Sequence, residues 1–131
     1  ITLKVCSGYS EFLFSFVYAK CEASLREQLW SDLESIDTGG LAWMVGGDFN
    51  TIMDASEKKG GGPYSQKYRL DFSSFAARLG LLDLGFTGDR YTWCNNQQGI
   101  RRTWCRLDRC LSNVQFISSY PNATIHHLVL A

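Results

Sequence analysis

Asp48 and Asn50 close the run Leu41-Ala42-Trp43-Met44-Val45-Gly46-Gly47-Asp48-Phe49-Asn50, and their types and spacing suit chemistry best in this chain. An apolar run without alternation, closed by two glycines, predicts a strand covered on both faces and ending where backbone can be approached closely. Side chains two apart on an extended chain point the same way, so carboxylate and amide are expected on one face. Asp48 would take a proton or orient water, and Asn50 would offer N–H donors to an oxygen. Such a pair suits hydrolysis of a phosphate ester. Asp-Phe-Asn fits a polar turn after a core strand equally well, because both residue types bond local backbone readily.

The elements that must position this pair alternate along the chain. Residues 11–19, rich in Phe, Val and Tyr, predict a strand, with 2–6 as its hairpin partner across the turn Ser7-Gly8-Tyr9-Ser10. Ser24, helped by Gln28, is expected to cap a helix whose apolar stripe is Leu25, Leu29, Leu33 and Ile36, with Trp30 beside it. A second helix is expected over 70–79, burying Phe72, Phe75, Ala76 and Leu79 and closed by Gly80. Residues 81–88 read as a short apolar crossing, 91–94 and 104–111 as a hairpin, the stretch after Asn113 as a short helix and 124–130 as a last strand. Strand, helix, strand, helix, hairpin and strand together predict a mixed sheet covered by helices.

At 131 residues the chain has the size and composition of one ordinary domain. Thirteen basic residues balance thirteen acidic ones, so any nucleic-acid contact must come from a local patch. The five cysteines, Cys6, Cys21, Cys94, Cys105 and Cys110, are odd in number and lack zinc or disulfide-framework spacing, which predicts reduced thiols in an intracellular protein. No apolar stretch is long enough to span a bilayer, and the N-terminus lacks the pattern of a secretory signal. The chain starts at Ile1 beside strand-like sequence and stops within the run Leu128-Val129-Leu130-Ala131, whereas domain ends are usually polar, so a fragment is expected.

Several short motifs occur in one order: Gly46-Gly47-Asp48-Phe49-Asn50, Glu57-Lys58-Lys59-Gly60-Gly61, Leu81-Leu82-Asp83-Leu84-Gly85-Phe86-Thr87-Gly88, Tyr91-Thr92-Trp93-Cys94-Asn95 and Arg106-Leu107-Asp108-Arg109, with Phe16-Val17-Tyr18-Ala19 upstream. Together they resemble the endonuclease/exonuclease/phosphatase superfamily, most closely the apurinic-endonuclease-like domain of plant LINE-type (non-LTR) retrotransposon proteins. The resemblance implies an α/β (α+β) fold, a fragment of a four-layered sandwich with mixed β-sheets flanked by helices, and magnesium-dependent phosphodiester hydrolysis. It implies that Asp48 activates or positions the attacking water and that Asn50 holds that water or a phosphoryl oxygen. Tyr18 would contact the scissile phosphate, and Asp108 would orient an essential histidine. DNA is the implied partner, a fused reverse transcriptase domain is implied in the full-length protein, and a working member must reach nuclear DNA.

By the same resemblance, the family's N-terminal asparagine and metal-binding glutamate would precede Ile1, and its closing Ser-Asp-His would follow Ala131. Residues 1–131 are then expected to be the central and C-terminal part of one domain truncated at both ends, with no metal ligand assigned within them. Magnesium is commonly held by one or two carboxylates plus water and phosphate, so losing the glutamate would weaken its binding. Losing the histidine removes a charged donor from the transition state. The isolated chain is therefore expected not to cleave DNA measurably.

Arg101 and Arg102 at the expected hairpin tip, together with Thr92, are the candidate substrate-binding residues, with solvated arginines as the equal alternative. Trp93 and Trp104 are expected to pack as a cross-strand pair. His126 and His127 are expected to be a partly exposed structural pair, with no Cys or carboxylate at zinc spacing. Residues 57–62 lack the Walker pattern and are expected to form a flexible surface loop, with Asp71 and Asp83 as helix-surface and turn carboxylates. Two further functions fit the same residues. One is a non-catalytic remnant or scaffold with exposed sheet edges; the other is a phosphatase of the superfamily acting on a small phosphorylated substrate.

Overall fold

A computed structural model describes residues 1–129. Strands β1 (Thr2–Ser7) and β2 (Ser10–Tyr18) form a hairpin, followed by helix α1 (Ala23–Glu34) and strand β3 (Ala42–Asp48). A 3-10 turn at Ala55–Glu57 leads to β4 (Lys58–Lys59), then α2 (Gln66–Arg78), β5 (Leu82–Asp83), β6 (Thr87–Gly88) and β7 (Trp93–Cys94). After a second 3-10 turn at Gly99–Arg101 come β8 (Trp104–Cys105), β9 (Asp108–Ser112), α3 (Val114–Ser119) and β10 (His126–His127). Leu130 and Ala131, the end of the last expected strand, lie outside the described residues, and within them that strand is confined to β10.

The principal sheet has the order β1-β2-β3-β9-β5, with β3 parallel to β2 and antiparallel to β9. It is the mixed sheet that the alternation of elements predicts. The parallel β2–β3 step is made possible by α1, which returns the chain to the same end of the sheet. Strands β4, β8 and β7 form a small second sheet, and β6 pairs with β10. Val17, Trp43, Val45 and Leu111 point to one face, where α1 and α2 cover them.

The core on that face is aromatic. Trp30 of α1 stacks on Phe72 at 5.1 Å and on Phe75 at 4.4 Å, and Phe49 just beyond β3 stacks on Phe72 at 4.9 Å. Phe49, Phe72 and Phe75 are wholly buried, each stabilising by about 1.5–3 kcal/mol relative to exposure. The expected stripe of α1 holds at Leu29, Leu33 and Ile36, with Trp30 beside it, and fails at Leu25. Leu25 is half exposed, and Arg26, Trp30 and Leu33 are the buried residues. Arg26 tolerates burial because its guanidinium donates to the carbonyls of Lys20 and Cys21 and lies 5.6 Å from the Tyr68 ring. Ser24 is not the cap either: α1 starts after Glu22 with no side-chain cap, and Gln28 donates to Asp32. α2 begins at Gln66, a turn earlier than expected, and buries Phe72, Phe75 and Ala76 with Leu79 packed against them. The short helix after Asn113 is present, its N-cap oxygen accepting from the Phe116 N–H.

The expected strand 104–111 divides at a corner. β8 belongs to the small sheet and β9 to the principal one, and Arg106 and Leu107 make the turn between them. In the register Trp93 faces Cys105 and Trp104 faces Cys94, so the two tryptophans lie on opposite faces of the hairpin and do not pair. Trp104 is covered instead by two cations, Lys59 at 5.2 Å and Arg102 at 4.8 Å.

Residues 57–62 also differ from a free surface loop, because Glu57 anchors them. Arg109 donates to Glu57 at 2.6 Å and to Asp83 at 3.0 Å, and Arg106 donates to Asp83 at 2.8 and 2.9 Å and to Glu57 at 3.2 Å. The side chains of Arg109 and Arg106 are 0% and 6% exposed, those of Glu57 and Asp83 13% and 25%. Asp83 also accepts from the Gly85 N–H, so it is both a turn carboxylate and a partner of the buried arginines. The guanidiniums rest on rings, Arg109 over Phe72 and Arg106 over Phe86. Burial pushes both carboxyls upward, but the hydrogen bonds and charges of the arginines outweigh it and hold Glu57 and Asp83 below their ordinary ranges.

Removing one member of a buried ion cluster leaves the others uncompensated, which costs about 3–5 kcal/mol. Arg109→Met is therefore expected to lower the urea midpoint severely. Carboxyls with depressed folded pKa values stabilise fully above their unfolded pKa and lose that contribution as pH falls toward the folded values. Unfolding midpoints of the wild type should thus drop steeply below about pH 4, with a flatter acid limb in a Glu57→Gln, Asp83→Asn double variant. An acid limb of the same slope in both proteins would contradict the cluster's role.

Candidate active site on the open face of the sheet

Alternation along β2, β3 and β9 decides which residues meet. Tyr18 pairs with Asp48, and Asp48 pairs with Asp108. Directly opposed residues share a face, so Tyr18, Asp48 and Asp108 form one row across the sheet, on the side away from α1 and α2. The three come from strands far apart in sequence. Tyr18 is 75% exposed and Asp48 and Asp108 are partly buried, so the row is open to a large ligand at its tyrosine end.

β3 can deliver Asp48 there because of its two glycines. A Cβ on Gly46 would meet the Cys110 Sγ at 2.8 Å, with the Phe14 ring at 3.4 Å. Gly47 has φ +138°, and a Cβ there would collide with the Val17 carbonyl. These residues therefore let β2, β3 and β9 approach where a side chain would hold them apart.

Asn50 reaches the site differently from the simple alternation expected of it. β3 ends at Asp48, and Asn50 has φ +49°, a left-handed conformation that Asn tolerates better than most residues. The turn brings the Asn50 N–H onto the Asp48 Oδ1 at 2.8 Å, and the Asn50 Nδ2 donates to the Ala19 carbonyl at 2.6 Å. Asp-Phe-Asn is therefore a polar turn, as the alternative reading expects, and the turn holds the Asp48 carboxylate in place. One amide proton of Asn50 is spent on tying the ends of β2 and β3 together, leaving its oxygen and its second N–H for other partners.

Thr92 lies behind Asp108. Its hydroxyl accepts from the N–H groups of Leu107 and Asp108, at 3.0 and 3.1 Å, so it sets the backbone that presents the carboxylate. Thr92 and Asp108 line a cleft of about 470 Å³ with Gly47, Cys110, His126 and His127. His126 bonds the hydroxyls of Thr87 and Thr124 through its two ring nitrogens. The His127 ring stacks on Phe86 at 4.3 Å, its Nδ1 lies 2.6 Å from the Asp89 carbonyl, and its Nε2 is shut away from solvent without a partner. Arg101 and Arg102 sit apart from the row, exposed on the hairpin between β7 and β8.

Burial raises the Asp48 carboxyl above the ordinary aspartate range, the Asn50 N–H partly offsets this, and the negative charge of Asp108 adds to it. Two like charges meeting at a partly desolvated spot call for a cation or a proton. The donors offered are oxygens, which suit a hard cation such as magnesium completed by water and phosphate. Among the described residues no three His, Cys, Asp or Glu side chains converge to hold a metal by themselves. The donor set therefore fits magnesium in kind, as a partial one.

The fold defined by these elements is an endonuclease-like mixed α/β fold. No protein-family model matches the sequence, and no curated protein matches it. Among solved structures, the chain is similar to the endonuclease domain of TRAS1, a telomere-specific non-LTR retrotransposon, with a TM-score of 0.61 and 17% sequence identity. The likeness covers 90% of this chain and 52% of that one, so the chain spans about half the length of the structure it matches.

Asp48→Asn keeps the acceptor for Asn50 and removes the repulsion, so it is expected to raise the unfolding free energy at pH 7, read by urea titration, by about half a kcal/mol, partial exposure screening the effect. A raised folded pKa makes the charged form destabilising above it, so the gain should vanish below about pH 4, where the carboxyl is protonated in both states. Gly47→Ala should have the opposite sign, costing about 1–3 kcal/mol or more for strained backbone and collision. A neutral Gly47→Ala variant would contradict the close approach of β2 and β3.

Proposed function

We propose that this chain supplies the central and C-terminal part of a DNA-nicking endonuclease domain of the retrotransposon type, which hydrolyses a phosphodiester with magnesium. The row of Tyr18, Asp48 and Asp108 beside a cleft carries this proposal, and the endonuclease-like fold supports it. Asp48 is the acceptor that positions or deprotonates water, held in place by the Asn50 N–H. Burial raises the Asp48 carboxyl, which is the direction that makes it a better proton acceptor than an ordinary aspartate. Tyr18, exposed at the end of the row, would donate its hydroxyl to a phosphate oxygen. Thr92 acts through Asp108 by fixing its backbone. Magnesium held by Asp48 and Asp108 would neutralise charge on the phosphoryl oxygens.

Arg101 and Arg102 would meet the DNA backbone away from the reacting phosphate. Each phosphate contact adds about one to the slope of log affinity against log salt. Such a domain acts on nuclear DNA, and a reverse transcriptase in the same polypeptide would extend the nick. A non-catalytic scaffold is the second possibility, favoured by the absence among the described residues of a third metal-binding side chain near the row.

In fluorescence anisotropy the chain is expected to bind duplex DNA, and Arg101→Ala with Arg102→Ala should weaken binding and reduce the salt slope by about two. Supercoiled plasmid should stay intact with the chain and magnesium. In a longer polypeptide containing the chain, nicking should appear, and Asp48→Asn should lower it by about 10²-fold or more. Rapid nicking by the chain alone would contradict a partial site. Nicking indifferent to Asp48→Asn would contradict the row as the site of chemistry, and no nicking by the longer polypeptide would favour the scaffold.

A further inference from the structure

A second cavity, of about 240 Å³, lies under the glycine-rich segment after β4 and shares no residue with the row of Tyr18, Asp48 and Asp108. Its lining includes Lys58, Gly60, Tyr64 and Arg69, with Ile52 as apolar floor and no acidic side chain. Lys58 donates to the carbonyls of Gly60 and Gly62, which pins the segment into its turn. Among the described residues it has no carboxylate partner, and one of its three ammonium protons is left over.

Arg69, from the first turn of α2, is less satisfied still. Its guanidinium makes no hydrogen bond or ion pair with any described residue, and its Nε–H is closed off from solvent without an acceptor. Buried polar groups are ordinarily bonded, so an orphan of this kind points to a missing partner. Asp54 does not fill the role: hydrogen bonds from Ser56 come first in lowering its carboxyl, the Arg69 charge acts only after them, and no ion pair forms. The Tyr64 hydroxyl shares a hydrogen bond with the Thr51 hydroxyl in which either can donate, so the tyrosine proton is free to turn inward.

Two cations with unspent donors around a pocket without an acid match a tetrahedral oxyanion. We propose that this cavity binds a phosphate group, with Arg69 donating from its guanidinium edge and Lys58 from its remaining N–H. Arg suits this because its fork presents parallel donors to phosphate oxygens. The phosphate can be free or a monoester, or it can be a phosphodiester of a nucleic-acid backbone. The proposal stands independently of the nuclease function, since none of the residues involved belongs to that site.

The test is an NMR titration of the whole chain with inorganic phosphate at constant ionic strength, repeated with a thymidine dinucleotide that carries a single phosphodiester. Saturable shifts confined to Gly60, Tyr64 and the Arg69 Nε–H are expected. Arg69→Met and Lys58→Gln should each weaken binding about tenfold, the loss of a charge-assisted hydrogen bond, while Arg90→Met leaves it unchanged. Response to phosphate alone identifies the free or monoester form; response to the dinucleotide identifies a nucleic-acid backbone. Wild-type shifts that never saturate or that spread over every surface cation overturn the proposal. So does unchanged affinity in a folded Lys58→Gln variant. DNA binding through Arg101 and Arg102 is measured separately and is untouched by either result.

Discussion

The buried cluster of Arg106, Arg109, Glu57 and Asp83 is the interaction on which the rest of the architecture depends, because it ties the small sheet, through the turn before β4, to β5 and β9 of the principal one. Glu57 comes from the turn before β4, Asp83 from the edge strand β5, and the arginines from the corner into β9. Ionic groups are expensive to bury, and a hydrophobic replacement of similar shape can be as stable. What this cluster adds is geometry. Four donors and acceptors with fixed directions leave little freedom in how β9 enters the sheet. Since Arg109 is locked inward over Phe72, Asp108 must face outward by alternation, beside Asp48.

Stability and chemistry pull in opposite directions on the two faces of the same strands. On the inner face opposite charges are matched and rings are stacked. On the outer face two carboxylates are brought together without a matching cation among the described residues, and Asp48 bears the consequence in its raised pKa. Asp48 opposite Asp108 costs stability rather than adding to it, which is the observation the proposed site rests on. The glycines serve the same arrangement, letting β2 close on β3 so that Tyr18 lines up with Asp48.

Much of this was readable from the sequence, and its failures have specific causes. The unbroken apolar run before Asp48 identified β3, and Phe72, Phe75 and Ala76 identified the inner face of α2. The row was readable only in part. Tyr18, Asp48 and Asp108 were each picked out through motifs, but their shared face follows from register, which is settled by pairing across long sequence separations. Glu57 and Asp83 read as loop and turn residues because nothing local reveals that two buried arginines await them. Arg26 joins the buried side of α1 in place of Leu25 for a similar reason, its charge satisfied by carbonyls outside the helix. The run from Trp104 to Leu111 looks like one strand because apolar content does not show where a strand leaves one sheet for another.

The row across β2, β3 and β9 is tested most directly by following the Asp48 carboxyl carbon by NMR as a function of pH, in the wild type and in Asp108→Asn. The structure predicts a midpoint above the ordinary aspartate range in the wild type, moved down when the neighbouring charge is removed, with the remainder of the elevation owed to burial. An ordinary midpoint, or one that Asp108→Asn leaves in place, would contradict the juxtaposition of the two carboxylates and the site built upon it.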